Sequence, residues 1–280
     1  MRVELLTVIG LVACGKVSNT DVDAQQADAF DGPVIVSVST PTSLEAEGAM
    51  ATIMASVHGH PNEVLKVSFS GMLGTYGPPT SLVTTDAAGN GTVSTTFISG
   101  MLGGVEAGVV TASNAAMVNS VPKQFGFQVI ALARYGQATA FGASGQFGQD
   151  NLLGQTITVT AAGTLKKIGF ISISAGPMIK VGIYADAGGV PATLLTQIPA
   201  TNVAMGTNEI ALASPLAMNA GTYWFMAVYN TQGNVGSDQT AARTIRFIAE
   251  PFANPLPTVF PTMTSTNMSG NFNYYLVFGP

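Results

Sequence analysis

From Pro33 onward the chain alternates short apolar runs with clusters of turn-forming residues. The runs are about five to nine residues long and rich in β-branched and aromatic side chains, and clusters of Gly, Pro, Asn and Asp separate them. No long stretch has the three-to-four-residue spacing of an amphipathic helix. The runs of the first part are Val34–Ser39, Ala49–Val57, Val64–Ser70, Ser81–Thr85, Gly91–Ile98, Ala107–Ala112 and Gln124–Ala133. This pattern predicts an all-β protein.

The number and spacing of these runs predict two tandem β-sandwiches. About seven strands in about 100 residues is typical of an immunoglobulin-like sandwich, and the lack of a cysteine pair and of tryptophan in this part excludes an antibody-type domain. After a Gly-rich stretch a second set of runs follows, at Gln155–Thr160, Leu165–Ile173, Ile179–Ala185, Thr207–Leu212, Thr222–Tyr229, Arg243–Ile248 and Tyr274–Phe278. We expect the first sandwich at residues 33–133 and the second at 134–280.

The first part resembles the bacterial immunoglobulin-like domains of invasin- and intimin-type adhesins. The resemblance lies in Thr84–Val93, a strand end followed by a Gly turn, and in Gly104–Ala112, a Gly-led strand that ends on Val-Thr-Ala. Asp86 and Asn90, with the glycines beside them, supply turn chemistry that we expect to join two paired strands. The resemblance implies a spacer and presentation module without catalytic residues.

The second part resembles the jelly-roll sandwiches of bacterial secreted and surface proteins, several of which are carbohydrate-binding modules. The residues that carry this resemblance are Gly163, Thr164, Leu165, Lys167 and Ile168, then Val181–Asp186 with Gly189 and Pro191, and finally Pro215, Leu216 and Ala220–Trp224. The resemblance implies a jelly-roll-like fold and polysaccharide as a ligand class.

Composition and charge exclude several classes of protein. The chain is 47% hydrophobic and only 9% charged, where about 25% charged is usual, which excludes a coiled coil and argues against a helical bundle. With 10 basic and 15 acidic residues the net charge is -5, so the electrostatic pattern of nucleic-acid binding is missing. A polar surface built from Ser, Thr, Asn and Gln is typical of extracellular β proteins.

The only cysteine, Cys14, follows an apolar run at Val3–Ala13. That run is too short for a transmembrane helix, which needs about 20 residues. Together with Leu11–Ala13, Cys14 resembles the lipobox of bacterial lipoproteins, which implies a signal peptide at residues 1–13 and lipidation of Cys14. Residues 14–32, rich in Asp, then form a flexible acidic tether. The same resemblance implies the outer membrane or cell surface, because Gly15 stands where an Asp tends to retain lipoproteins at the inner membrane. The alternative is a buried first strand that ends in a chance cysteine.

Candidate metal ligands are few. Asp150, Asp186 and Asp238 fall in Gly- or Asn-containing loops of the second part, and loop carboxylates of this kind bind Ca²⁺. The alternative is that all three stabilise ordinary turns. His58 and His60 lie two residues apart, the spacing of two ligands on one face of a strand, but the proline that follows favours an exposed turn at a strand end.

Aromatic residues offer the other candidate site. Phe272, Tyr274 and Tyr275 lie among asparagines near the C-terminus and are our candidate ligand-binding residues, with a final strand that closes the sandwich as the alternative. In Tyr223–Tyr229 both alternating sets are apolar, which predicts a central strand with Trp224 in the core. Four prolines in Pro251–Pro261 predict an extended loop that lies on the sandwich.

The sequence thus predicts a lipid-anchored bacterial surface protein with a non-catalytic role in binding, adhesion or presentation. Its expected partners are a membrane, through the lipid, and either a polysaccharide or another surface protein. Two alternatives stay open: a calcium-dependent polysaccharide-binding module, and a hydrolase with a pair of carboxylates in a cleft. Glu45 and Glu47 are close in sequence, but the proline and glycine near them favour a solvated turn.

Overall fold

The computed structural model describes residues 32–238, 240, 244–261 and 268–280, and over these residues the regular structure is entirely β. The all-β fold class predicted from the alternating pattern is therefore confirmed. No helix in the described ranges is long and apolar enough to cross a bilayer. The predicted signal peptide, the lipidation of Cys14 and all but the last residue of the acidic tether lie outside the described residues.

The first sandwich is built from nine strands. In chain order they are β1 (Val34–Ser39), β2 (Ser43–Glu45), β3 (Met50–His58), β4 (Val64–Ser70), β5 (Gly74–Gly77), β6 (Thr80–Thr84), β7 (Asn90–Ser99), β8 (Gly104–Ser113) and β9 (Lys123–Ile130). One sheet has the order β1-β3-β7-β5 and the other β2-β9-β8-β4-β6. Strands β1, β3, β7 and β5 occupy the places of A, B, E and D of an immunoglobulin domain, and β4, β8 and β9 those of C, F and G.

The apolar positions of this sandwich point between its two sheets. Alternation is strict in β3 and β7, so Ile53, Val57 and Phe97 are buried while the residues between them face outward. Phe97 packs edge-on against Phe127 at 5.0 Å between ring centroids. This core contains no tryptophan or disulfide and is closed by phenylalanine and one buried tyrosine, Tyr76.

The turn at Thr85–Asn90 has the predicted chemistry but a different role. The Asp86 carboxylate accepts backbone N–H groups of Ala88 at 2.8 Å and of Asn90 at 2.9 Å, and Gly89 has φ +85°. However, β6 pairs with β4 and β7 pairs with β3 and β5, so the turn crosses between sheets. The expected pairing of the two flanking strands was wrong, because an Asp-stabilised turn reverses the chain without determining which strand lies beside it.

The second sandwich holds the remaining strands. They are β10 (Ala133–Gly136), β11 (Ala143–Phe147), β12 (Asn151–Val159), β13 (Gly163–Ser172), β14 (Met178–Asp186), β15 (Pro191–Asn202), β16 (Gly206–Met218), β17 (Gly221–Tyr229), β18 (Gly233–Asp238), β19 (Thr244–Ala249), β20 (Met268–Ser269), β21 (Asn271–Phe272) and β22 (Tyr274–Gly279). One sheet runs β10-β22-β13-β18-β11, with β16 on β13 and β21 on β18, and the other runs β15-β14-β17-β12-β19-β20.

Strand β17 is apolar on both faces because both faces are covered. Phe225 and Tyr229 point into the core between the sheets, whereas Trp224 and Met226 point outward into a second cluster. The segment Pro251–Pro261 covers that outer cluster. The prediction of a central strand with Trp224 in the core is confirmed, since Trp224 is fully buried.

The Pro251–Pro261 segment forms a partial third layer over the six-stranded sheet. Its Leu256 and Phe260 pack in the outer cluster, and the Phe260 N–H donates to the carbonyl of Ala192 at 2.8 Å. The Lys180 ammonium donates to the carbonyls of Phe252 and Asn254 and lies 4.7 Å from the Phe252 ring centroid. The extended loop predicted from the prolines is therefore present and held by hydrogen bonds.

The two ends of the first sandwich have different neighbours. Val34 pairs with His58, and His58 pairs with Asn90, so the chain before Val34 joins at this end, which we call the proximal end. Met50 and Ile98 pair at the opposite end, where β9 also finishes at Ile130 and the chain passes to the second sandwich. We call this the junction end. The two ends are about one strand length, roughly 30 Å, apart.

Candidate functional site

The two sandwiches are joined by only two residues. Strand β9 ends at Ile130 in the first sandwich, and β10 begins at Ala133 in the second by pairing with Phe278. The N–H of Ala46 donates to the Ile130 carbonyl at 2.8 Å, which fixes the last residue of β9. A linker this short leaves the chain little freedom to reorient one sandwich against the other.

An ion cluster spans this junction. Glu47, in the turn after β2, lies 2.7 Å from the Arg134 guanidinium and 3.4 Å from the Lys167 ammonium. Glu209 of β16 lies 2.9 Å from Arg134 and 3.4 Å from Lys167. The Tyr275 hydroxyl donates to Glu209 at 3.1 Å. Glu47 of the first sandwich is thus bound to two cations of the second sandwich, and the same two cations also bind Glu209.

Burial makes this cluster stronger than a surface ion pair. The Glu47 side chain is only 8% exposed and that of Glu209 17%. Burial pushes the pKa of Glu209 up, but the hydrogen bond and charge of Arg134 outweigh it, so the pKa lies below its ordinary value. Burial, followed by the charge of Glu209, raises the pKa of Tyr275. Glu209 is therefore held as an ionised acceptor.

A second, more exposed pair lies beside the cluster. The Lys166 ammonium is 2.8 Å from Glu45 Oε1, with side chains 28% and 33% exposed. Glu45 and Glu47 were expected in a solvated turn, and this was wrong. The turn does reverse the chain, with Glu47 at φ +68° and Gly48 at φ +91°, but the second sandwich covers it.

One end of the second sandwich, where β13 and β17 finish, carries three connected loops, which we call the distal loops: residues 172–178, 203–208 and 230–234. The N–H of Val203 donates to the Pro177 carbonyl at 2.9 Å, and the N–H of Met178 donates to Asn230 Oδ1 at 2.7 Å. Asn208 Nδ2 donates to the Ala204 carbonyl at 2.8 Å. Side-chain amides thus replace missing strand partners and preorganise the loops.

The distal loops contain no charged residue and combine small, amide and hydroxyl side chains with a few apolar ones. Met205 is 73% exposed and Ile173 40% exposed at their surface. A surface of Ser, Thr, Asn, Gly and exposed apolar side chains binds through shape and neutral hydrogen bonds, as binding loops on rigid scaffolds do. Sequence inspection missed these loops because no single motif marks them.

The three predicted calcium ligands do not come together. The Asp150 N–H donates to the carbonyl of Tyr229 at one end of β17. Asp186 follows Ala185, which pairs with Tyr223 near the other end of β17. Six residues of strand correspond to about 20 Å, so these carboxylates cannot share an ion. Among the described residues, no three His, Cys, Asp or Glu side chains are grouped to hold a metal.

Each of these aspartates accepts hydrogen bonds from the protein, either within its own turn or from a neighbouring segment. Asp150 Oδ1 accepts the Phe252 N–H at 2.7 Å. Asp186 Oδ1 accepts the Trp224 indole N–H at 2.7 Å, and Asp238 Oδ1 accepts the Thr240 N–H at 2.9 Å. The geometry matches the alternative of Asp-stabilised turns. The described residues therefore offer no site at which the three predicted calcium ligands meet.

The three candidate ligand-binding aromatics are buried. Phe272 is 8%, Tyr274 0% and Tyr275 1% exposed, so none offers a free face for a sugar in this structure. Tyr274 stacks on Phe225 at 4.1 Å between centroids, and Phe272 packs against Phe147 at 4.6 Å. Their placement corresponds to the alternative of a final strand that closes the sandwich, because β22 lies between β10 and β13.

The histidines lie at the proximal end as exposed residues of a turn. His58 Nδ1 is 3.1 Å from Asn90 Oδ1, and the His60 N–H donates to Glu63 Oε2 at 2.9 Å. The predicted strand-end turn is present. The carboxylate of Glu63 is used by the backbone of that turn.

No protein-family model matches the chain, and no curated protein matches it. Among solved structures, the chain is similar to the Yersinia pseudotuberculosis adhesin InvE, at 17% identity and a TM-score of 0.23, over 76% of this chain and 55% of the adhesin. It is also similar to a SusE-like protein, at 8% identity and a TM-score of 0.20, over 69% of this chain and 95% of that one. The chain spans about half the adhesin's length. At TM-scores below 0.5 neither similarity assigns a family or a function.

Proposed function

We propose that this chain is a lipid-anchored bacterial surface protein that binds an uncharged partner through the distal loops, without catalysis. In this proposal residues 1–13 are a signal peptide, Cys14 carries the lipid, and residues 14–32 are the tether. The sandwich at 33–133 is the spacer, and that at 134–280 is the binding module.

The observation that carries the proposal is the fixed junction between the sandwiches. The chain before Val34 joins the first sandwich at the proximal end, and the two-residue link and the Glu47 cluster hold the second sandwich at the other. A spacer about 30 Å long then holds the second sandwich, which carries the distal loops, off the anchor. Preorganised loops lose little conformational freedom on binding, which favours affinity.

The hydrolase alternative has a carboxylate pair, but both carboxylates are paired with the same two cations. Glu47 and Glu209 both lie within 2.9 Å of one Arg134 nitrogen. A glycosidase needs one of its two carboxyl groups protonated, with a raised pKa, so that it can act as the general acid. Arg134 instead holds the pKa of Glu209 below its ordinary value, against the effect of burial. The pair therefore fits a structural ion cluster.

The anchor is tested in cells. Wild-type chain and a Cys14→Ala variant are expressed with the native leader, and membrane and soluble fractions are compared, with mass spectrometry of the N-terminal peptide. We expect acylated wild type in the outer-membrane fraction and unacylated variant outside it. Equal membrane retention of both chains, without acylation, would refute lipid anchoring.

The binding role is tested with the fragment of residues 32–280, which holds every described strand. Retention on bacterial and environmental polysaccharides and on intact cells is measured with Ca²⁺ and with chelator. Met205→Asp and Ala175→Asp place charges on the distal loops, and Met72→Asp is the control, since Met72 is 82% exposed in the first sandwich. We expect retention of wild type and control, loss with both distal variants, and no effect of chelator. Retention that survives both distal variants would refute the proposal, and loss with chelator would favour the calcium-dependent alternative.

A further inference from the structure

The turn between β8 and β9, residues 114–122, displays apolar side chains at the proximal end of the first sandwich. Met117 is 80% exposed and Val121 72% exposed, and the turn contains no charged residue. We call it the proximal turn. Exposed apolar side chains that lie close together on one turn indicate a contact surface, whereas isolated exposed apolar residues are normal on any protein.

The backbone of the proximal turn holds Met117 in an unfavourable conformation. Met117 has φ +64°, in the left-handed region that favours glycine or asparagine. The turn is closed around it by Asn114, whose Oδ1 accepts the Val118 N–H at 3.0 Å and whose carbonyl accepts the Met117 N–H at 3.0 Å. The left-handed backbone at this position costs the fold stability. We therefore explain the long apolar side chain there by a contact that it makes outside the sandwich.

The apolar surface continues from this turn onto β1. A shallow groove of about 260 Å³ is lined by Val34, Ile35, Val121, Pro122 and Lys123. The Lys123 ammonium donates to the Val36 carbonyl at 2.7 Å, so a cation borders the apolar residues at the open edge of the strand. Apolar side chains beside a lysine are the composition of protein surfaces that lie in a lipid headgroup region.

The occupant follows from where the chain joins. The segment before Val34 leaves the structure at this same end, and a tether of about 18 residues has a reach of roughly 20 to 25 Å. The proximal turn therefore lies next to whatever surface holds the N-terminus. The few exposed apolar residues named here are far fewer than the roughly 20 to 30 residues per partner of a stable protein interface, which argues against a second copy.

We propose that the proximal turn inserts Met117 and Val121 into the surface of a phospholipid bilayer, with Lys123 at the headgroups. This rests on the lipid anchoring in the proposed function and adds a second contact to it. Glu63 and Asp86 lie at the same end, but their carboxylates accept backbone N–H groups in the turns after β3 and β6. The first sandwich therefore contacts the bilayer through the start of β1 and the turn that leads into β9. It fixes the tilt of the first sandwich on the membrane.

The test uses the fragment of residues 32–280, which lacks the anchor and contains no cysteine, because Cys14 is the only one in the chain. Met117→Cys and, as the matched control, Met72→Cys are each labelled with an environment-sensitive fluorophore. Met72 is 82% exposed but lies towards the junction end. Each protein is titrated with vesicles of phosphatidylcholine, and of phosphatidylethanolamine with phosphatidylglycerol. Unlabelled wild type and Val121→Asp are compared by co-sedimentation.

We expect a blue shift and an intensity increase at position 117 with both vesicles and none at position 72. We expect co-sedimentation of Val121→Asp to be about tenfold weaker than that of wild type. No shift at position 117, or equal shifts at both positions, would overturn the proposal. A shift at 117 that depends on protein concentration without vesicles would also overturn it, in favour of self-association. Binding of wild type and Val121→Asp through the distal loops, measured without vesicles, reports the proposed function separately.

Discussion

Removing the Arg134 guanidinium is expected to loosen the junction and destabilise the second sandwich. Arg134→Met keeps much of the aliphatic volume but leaves Lys167, which is 3.4 Å from Glu47 and from Glu209, as the remaining cation of the cluster. Deleting one partner of a fully buried ion pair costs about 3–5 kcal/mol. Since Arg134 keeps 27% of its side chain exposed and Lys167 remains, we expect about 1–3 kcal/mol here.

The sole tryptophan of the chain makes this measurable. Trp224 is buried in the second sandwich, so its fluorescence during urea unfolding reports that sandwich even where the two do not unfold together. The matched control is Lys166→Met, which breaks the exposed pair with Glu45 at the same junction. We expect the control to cost about 0.2–1 kcal/mol. A double-mutant cycle of Arg134→Met with Glu47→Gln isolates the contact between sandwiches.

The pH dependence of the wild type gives an independent check. Arg134 holds the folded pKa of Glu209 below its ordinary value of 4.5 against the opposing effect of burial, so this contribution to stability is present above that pH. It is lost as the pH falls through the lowered folded pKa. The difference between wild type and Arg134→Met should therefore shrink in acid. Equal stability of wild type and Arg134→Met at neutral pH, or equal losses in Arg134→Met and Lys166→Met, would refute the account of the junction.

Three further predictions concern single side chains. Glu106 is fully buried and accepts hydrogen bonds from Tyr76 and from two backbone N–H groups, so Glu106→Ala should destabilise the first sandwich by about 3–5 kcal/mol, measured by hydrogen exchange of β4 and β8. Met117→Gly relieves the left-handed backbone and should raise stability by about 1 kcal/mol in the same assay, and a loss would contradict the strain. At Gly154 a Cβ would lie 1.7 Å from the Phe225 carbonyl oxygen, so Gly154→Ala should shift the Trp224 transition to lower urea by more than Gly142→Ala, whose Cβ meets open space.

Most long strands could be predicted from alternation, because residues facing the core recur at every second position. Strands without that signal were missed: Gly74–Gly77 and Ala143–Phe147 are short and contain glycine, and the 12-residue strand Pro191–Asn202 is interrupted by proline. They are strands because neighbouring strands supply hydrogen-bond partners, which a local pattern does not contain. The predicted run Gln124–Ala133 is likewise broken, because the chain changes sandwich after Ile130.

The candidate sites were harder to predict than the fold. Glu47, Arg134, Lys167 and Glu209 are far apart in sequence, and only the fold places them within hydrogen-bonding distance. Their one local signal is the Lys166-Lys167 pair in a chain with 10 basic residues, since a cation pair in so neutral a sequence indicates a counter-charge nearby. The aspartates and C-terminal aromatics were chosen by residue type, which does not distinguish a ligand from a turn or a core position.

The positions at which the chain joins the first sandwich determine how that sandwich bears mechanical load. A pull between the chain before Val34 and the second sandwich acts on Val34 at one end and on Ile130 at the other. It therefore draws β1 lengthwise along its antiparallel partner β3, and β9 lengthwise along its parallel partner β2. Force along the strands loads all hydrogen bonds of these pairs in shear at the same time, whereas force across a strand end opens them one by one. Under the proposed function, a cell held through the distal loops would thus load the first sandwich along its strands, the direction in which these strand pairs resist force best.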